Sequence, residues 1–512
     1  MITITNKIHW LREQAELHPD DSGYILAGRN ISYRKFYLKC KSAAEYFLSY
    51  NIKENDHIGI LSGHNYNFFT AVNALWFIGA IPVPLNTRNT PDELQFQVNK
   101  ANIKFLLIDE SYEGLSSSIK NSTKIPFPYF TEHESLNLTN IFSNPLSTSA
   151  LPPEGLIKSE GQESKFLIER PALILFTSGS SGKPKAVLHT FGSLLESVKT
   201  TDSLSALTSS DVWLASLPFY HIGGFMILLR SLVIGSKAAF PNSLKYEEIK
   251  TSIEQFNPTH ISLVPTTLQR LINDNIRPNN NLKIVYLGGG PSDSKLCLDA
   301  VRKGWNIVKV FGSTETCSMS TALLPHELKN KIESAGRAIG SNQIKIVDEE
   351  GKQLGPIQIG EIAVFSKTLF KEYFNEPLIT NRTLKDGWYY TGDYGWIDEH
   401  GFLYIEFRRE DLIITGGENV AAAEVETAIK SNPLIEDAYV FGIEDKTWGQ
   451  TVAAVIKTKI KDSITKDELR IYLKERIAGY KIPKEFYFVE SIPKNEMGKV
   501  IRNDIIKLIK LS

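Results

Sequence analysis

Short apolar runs, each ending in a turn and followed by a helical stretch, set the strongest limit on how this chain folds. "DHIGIL" (56–61), "NYNFFTAVNALWFIGA" (65–80) and "IPVPLN" (81–86) read as strand, helix, strand. "PALILF" (171–176), "DVWLASLP" (211–218), "HISLVP" (260–265) and "KIVYLGGG" (283–290) repeat the pattern, as does "NIVKVFG" (306–312). Such alternation argues for a parallel α/β sheet covered by helices. With 512 residues the chain exceeds one core of this kind and divides into more than one domain.

From Gly336 to about Phe407 the pattern turns to short β-rich pieces with turn residues between them. They include "QIKIVDEEGKQL", "GEIAVFS" and "GWYYTGDYGWIDEHGFLYIEF". This segment reads as a small β-barrel or antiparallel subdomain. The last hundred residues alternate again and suit a compact α+β domain. The expected class is therefore α/β: a large N-terminal domain of α/β sheets plus a small β-barrel, and a smaller C-terminal domain. The clearest loop is 143–165, rich in Ser, Pro, Gly and charge.

Charge narrows the partners. Lys and Arg number 57 against 58 Asp and Glu, a net charge of −1, so bulk charge favours neither nucleic acid nor a membrane surface. Cys40, Cys297 and Cys317 are odd in number and scattered, which reads as free thiols in a reducing compartment. The first residues carry no apolar signal core, and the run 71–84 is too short to span a bilayer. A soluble cytoplasmic protein is expected, with no integral membrane association.

Directly after "PALILF" come Thr177, Ser178, Gly179, Ser180, Ser181 and Gly182, then Lys183 and Lys185 around Pro184. Little in this loop can build a core. It does offer backbone N–H groups, hydroxyls and two cations, which suits a polyphosphate. A flexible linker is the plainer alternative, but apolar runs flank the loop and Pro184 stiffens its exit. The Walker pattern is excluded, because Pro184 stands where a hydroxyl should follow Gly-Lys.

Six further stretches interrupt apolar pattern with polar residues. In "VFGSTETCS" (310–318), Thr314 suits a phosphate oxygen and Glu315 a magnesium ion, while a helix cap by Ser313 or Thr314 explains them equally well. Asp393 in "YYTGDYGWID" is either a turn residue or a carboxylate for ribose hydroxyls. The glycines of "YLGGGPSD" end a strand, or bare the backbone to a flat ligand. "FRREDLIITGGENV" (407–420) reads as a charged hinge. "LPFYHIGGF" sets His221 beside two glycines, and "PKNEMGKVIR" offers Lys499 near the C-terminus.

Together and in this order, these motifs resemble the ANL superfamily of adenylate-forming enzymes, from about residue 20 to the C-terminus. The stretches "SLPFYHIGGFMILLRSL", "LGGGPSD", "RREDLIITGGENV" and "EDKTWGQ" are most similar to its branch of aryl-acid CoA ligases, with o-succinylbenzoate of menaquinone biosynthesis as the expected acid. Ala421 and Ala422 stand where the family commonly has an aromatic residue and Pro. Phe407 replaces a Gly, and Phe311 a Tyr.

The resemblance implies an ATP-dependent, magnesium-requiring ligase that forms an acyl-AMP and then an acyl-CoA thioester. Its partners would be a carboxylic acid, ATP and CoA. It implies the 177–185 loop on the β and γ phosphates, and Thr314 and Glu315 on phosphate and magnesium. Gly289, Gly290 and Phe311 would hold adenine, and Asp393 and Arg408 the ribose. Lys499 would reach the α-phosphate, Gly416, Gly417 and Trp448 would form the pantetheine channel, and His221 would shape the acyl pocket. Residues 1–409 would form the AMP-binding N-terminal domain, with α/β subdomains at about 1–170 and 171–335 and the barrel at about 336–407. A mobile domain, 410–512, would follow a hinge at Glu410.

Overall fold

The computed structural model describes residues 9–26, 29–89, 91–127, 168–177, 184–290, 292, 294–408, 412–415, 418–445, 449–461, 463–477, 479–495 and 500–510. The loop expected at 143–165 lies outside them.

The apolar runs become the centre of a nine-stranded sheet. Its parallel strands lie in the order Ser22–Leu26, Lys237–Phe240, Val212–Leu214, His260–Leu263, Ile284–Leu287, Ile307–Phe311. Antiparallel strands close both edges, Arg29–Ser32 on one side and Thr321–Leu323 with Arg337–Ala338 on the other. His260–Leu263 is buried along its whole length, as a central strand covered on both faces must be. Helix Ile222–Ile234 connects two of these strands and is buried along nearly all of its length. It stops at Gly235, whose φ of 86° needs a residue without Cβ.

A second, four-stranded sheet is wholly parallel: Ile81–Pro84, His57–Leu61, Phe105–Ile108, Thr123–Pro126. "PALILF" departs from the parallel pattern. Strand Pro171–Thr177 turns back into Lys185–Thr190 as an antiparallel hairpin, and Glu372–Tyr373 adds to its second strand. Seven residues, 178–184, are too few for a parallel crossover, so the chain reverses.

The β-rich segment from residue 336 contains a five-stranded antiparallel sheet. The C-terminal residues form another five-stranded sheet, with helices Ala422–Lys430 and Lys466–Lys474. Val425, Ile429, Leu469 and Leu473 on those helices pack with Val440, Ala454 and Phe486 into a core cluster of their own. Ala422 opens the first helix and is buried in that cluster. All three cysteines are free and buried. Among the described residues no helix is long and apolar enough to cross a membrane.

Candidate active site

One cleft of about 1790 Å³ runs along the carboxyl ends of the central strands. That exceeds the roughly 300–1,000 Å³ typical of a site for one small ligand, so it has room for several reactants. Loops after four parallel strands supply Pro218, Val264, Gly288 and Thr314 to its wall, the usual placement of a ligand site in an open α/β sheet. Lys494 and Asn495 bring the C-terminal segment to the same cleft.

The segment Phe311 to Ser318 is the most constrained part of the wall. Its carbonyl groups at four consecutive residues are each held by a different donor. His189 Nε2 donates to Thr314 O (2.8 Å), Phe370 N to Glu315 O (2.8 Å), Thr368 Oγ1 to Thr316 O (2.9 Å) and Ser197 Oγ to Cys317 O (2.6 Å). The backbone has left-handed φ at Cys317 (53°) and Ser318 (94°), strain of the kind that a surrounding network sustains at functional sites. Gly312 is obligatory, since a Cβ there would lie 1.6 Å from Ser318 O. No helix follows this segment; the chain continues to strand Thr321–Leu323, so helix capping does not explain Ser313 or Thr314. Ser313 lines the cleft, and its hydroxyl is buried without a hydrogen-bond partner among the described residues.

His189 is neutral in this setting. Burial lowers its pKa to about 4, and its Nδ1 lies 3.1 Å from Ser193 Oγ. The unfolded chain takes up this proton near pH 6.5 whereas the folded chain resists it down to about 4. Stability tied to His189 is therefore complete above pH 6.5 and lost as pH falls towards 4, by roughly 3 kcal/mol at most. His189→Gln keeps a donor for Thr314 O, and it should narrow the stability gap between pH 7.5 and pH 4.5. Urea denaturation at the two pH values checks this; an unchanged gap would mean that His189 is not buried neutral.

Glu315 lies in the same wall and is buried, 7% exposed. Tyr373 Oη donates to Glu315 Oε1 at 2.8 Å; the other carboxylate oxygen takes no hydrogen bond from a described residue. Among the described residues no group of three or more His, Cys, Asp or Glu side chains could cage a metal. A carboxylate beside the Ser313 and Thr314 segment fits magnesium, which is held by one or two carboxylates plus substrate phosphates and water. Asp393, which also lines the cleft, is 6% exposed and follows Gly392, whose φ is 74°. The backbone pairs Asp393 with Arg408 on the neighbouring strand.

Beyond His221 the cleft is walled by helix Ile222–Ile234. Gly224 lets the helix approach the preceding loop: a Cβ there would lie 2.2 Å from Pro218 O. Two turns further, Arg230 is fully buried and lines the cleft. No carboxylate among the described residues pairs with it. Among the described residues its Nη2 donates only a long bond to Ser197 Oγ (3.4 Å), and its Nε has no partner. The Arg230 guanidinium lies 5.7 Å over the Trp213 ring. Burial lowers its pKa to about 10, so it stays charged at neutral pH. Tyr286 shares this end of the cleft, its hydroxyl buried beside Ser205.

Residues 11–374 match the AMP-binding enzyme family, and 424–499 its C-terminal domain. The chain belongs to the AMP-binding enzyme family. It is 32% identical to the 2-succinylbenzoate–CoA ligase of Bacillus subtilis over 98% of each chain. It also resembles the solved o-succinylbenzoate CoA synthetase of Bacillus subtilis in complex with its acyl-adenylate intermediate, at 31% identity and a TM-score of 0.84, covering 97% of each chain. The same synthetase with ATP and magnesium ion matches at 30% identity and a TM-score of 0.83, over 97% of this chain and 99% of that one.

In this AMP-binding enzyme the cleft brings together Thr177, Lys185, His221, Gly289, Phe311, Thr314, Glu315 and Asp393, all expected from sequence. Gly290 is exposed and does not line the cleft; Gly288 does. Ser178, Gly179, Ser180, Ser181, Gly182 and Lys183 lie outside the described residues, as do Glu410, Gly416, Gly417, Trp448 and Lys499. So does the side chain of Arg408. Lys494 bridges to Val500, next to Lys499 in sequence. Sequence reading missed Arg230, His189 and Tyr373. One signal was available: Arg230 is the lone charge in the apolar run "FMILLRSLVI".

Proposed function

We propose that this AMP-binding enzyme joins 2-succinylbenzoate to coenzyme A at the expense of ATP, as a step of menaquinone biosynthesis. Arg230 carries the reading of the acid. An unpaired buried cation is unfavourable unless something negative arrives to meet it. A substrate with two carboxylates meets it with one and presents the other for activation. A fatty acid has nothing for Arg230, whereas the aryl ring has Tyr220, His221 and Tyr286 along the same wall.

The chemistry follows from poor leaving groups. One substrate carboxylate oxygen attacks the α-phosphorus of ATP, the bond to the β-phosphate oxygen breaks, and pyrophosphate leaves. The CoA thiolate then attacks the acyl carbon, the acyl–oxygen bond breaks, and AMP leaves. Negative charge builds on phosphoryl oxygens in the first transition state, so positioning and neutralisation dominate catalysis. Bound at Glu315, magnesium would neutralise phosphate charge. The 177–185 loop and Thr314 donate to phosphate, Gly289 and Phe311 flank adenine, and Asp393 and Arg408 take the ribose. Lys499 contacts the α-phosphate, and Gly416, Gly417 and Trp448 border the pantetheine. Residues 410–512 move as a unit about Glu410 relative to 1–409, because adenylation and thioester formation need different groups at one cleft. The cytoplasm, which is reducing and holds ATP and CoA, suits three free buried cysteines.

The test is AMP release with ATP, magnesium, CoA and a panel of 2-succinylbenzoate, benzoate and a medium-chain fatty acid. The expected order of kcat/KM puts 2-succinylbenzoate first. If the fatty acid leads by more than tenfold, the acid is misassigned. If AMP forms only with a carrier protein in place of CoA, the acceptor is.

A further inference from the structure

Between the phosphate-loop hairpin and the Glu315 segment stands one side chain that touches both. Tyr373 is 2% exposed, and its hydroxyl donates to Glu315 Oε1 at 2.8 Å. Its backbone belongs to the hairpin, opposite Val187. Neighbouring bonds run from Lys371 N to Leu188 O and from Phe374 N to Ala186 O, both 2.8 Å. Lys185, which leaves the phosphate loop, holds its ammonium 4.9 Å above the Tyr373 ring. The stretch carrying Tyr373 also reaches the Glu315 loop through Phe370 N and Thr368 Oγ1. On its far side Glu376 pairs with Lys100 at 2.9 Å.

We propose that Tyr373 is a positioning residue for Glu315: its hydroxyl occupies Oε1, fixes the carboxylate before nucleotide binds, and leaves Oε2 as the oxygen offered to magnesium. This rests on the reading of Glu315 as the magnesium ligand. A free glutamate samples many rotamers, and binding an ion through it means ordering it. A buried tyrosine that already satisfies one oxygen removes that freedom and leaves a monodentate ligand. The same side chain sets where Glu315 stands relative to Lys185, so the cation binding phosphate and the carboxylate binding metal share one reference point. Partners of this kind, one step removed from a metal, typically change affinity 10- to 100-fold when lost.

The probe is Mn²⁺ with α,β-methylene-ATP, followed by electron paramagnetic resonance on the full chain, so that no turnover is needed. Tyr373→Phe keeps the ring beneath Lys185 and removes the hydroxyl, which also meets Tyr389 and Thr383. It is expected to weaken Mn²⁺ binding about tenfold, and its adenylation rate should recover at high magnesium. Thr368→Val removes a tie between the same two segments without touching the carboxylate, and it should leave Mn²⁺ affinity within twofold. Glu315→Gln tests the underlying reading and should weaken Mn²⁺ binding at least as much as Tyr373→Phe. If Glu315→Gln shifts affinity and Tyr373→Phe does not, the positioning role is overturned while the ligand reading stands. Equal shifts in Tyr373→Phe and Thr368→Val would mean general loosening of the segment and also overturn it. No shift in Glu315→Gln overturns both.

Discussion

Lys499→Ala lowers acyl-adenylate formation by roughly 10²-fold or more, while thioester formation from supplied acyl-adenylate stays within a few-fold of the parent. The first magnitude is that of losing one preorganised charge contact to a transition state. The asymmetry follows from the proposed motion: Lys499 serves only the step in which charge gathers on the α-phosphate, and the second step has AMP as its leaving group. Lys494 and Asn495 already border the cleft, a few residues before Lys499. Pyrophosphate release measures the first half-reaction, and CoA consumption with pre-formed acyl-adenylate measures the second. Equal loss in both would mean that one fixed site performs both steps.

Arg230→Leu abolishes the preference for an acid with two carboxylates. kcat/KM for 2-succinylbenzoate falls roughly 10²–10³-fold, the scale for truncating one partner of a buried hydrogen-bonded charge pair. Mono-acid analogues that keep the reacting carboxylate change only a few-fold. The substitution should leave the protein folded, because the guanidinium has no acidic partner among the described residues and lies against Trp213 in a fully buried setting. Replacing a buried charge with an apolar group is often neutral or stabilising. The expected thermal midpoint is therefore equal to or above that of the parent. Arg230→Lys should recover part of the rate, since a point charge lacks the fork that meets a carboxylate with two bonds. Equal losses on diacid and mono-acid would move the recognition elsewhere.

Fold class and chemistry were legible because their signals are local. A buried parallel strand announces itself in four or five consecutive residues, and Ile307–Phe311 ends in the same stretch that carries Thr314 and Glu315. The loop 177–185 and the Tyr-x-Thr-Gly-Asp turn are likewise contiguous strings, so order along the chain sufficed to link them to one family. Even so, "PALILF" is equally apolar in a parallel strand and in a hairpin, and only its pairing with Lys185–Thr190 distinguishes the two.

By itself the sequence determined the alternating α/β framework, the polar stretches that interrupt it and the family. Tertiary structure alone decided what each polar side chain meets. Tyr373 and Glu315 are 58 positions apart, and His189 and Thr314 are 125 apart, yet each pair shares a hydrogen bond. Arg230 is the sharper case. In the sequence it is one charge in an apolar helix, open to pairing with any acidic residue that the fold brought near. Whether that helix faced solvent, a carboxylate or a cleft depended on how strands hundreds of residues apart closed around it. A desolvated charge takes its meaning from the partner it has or lacks.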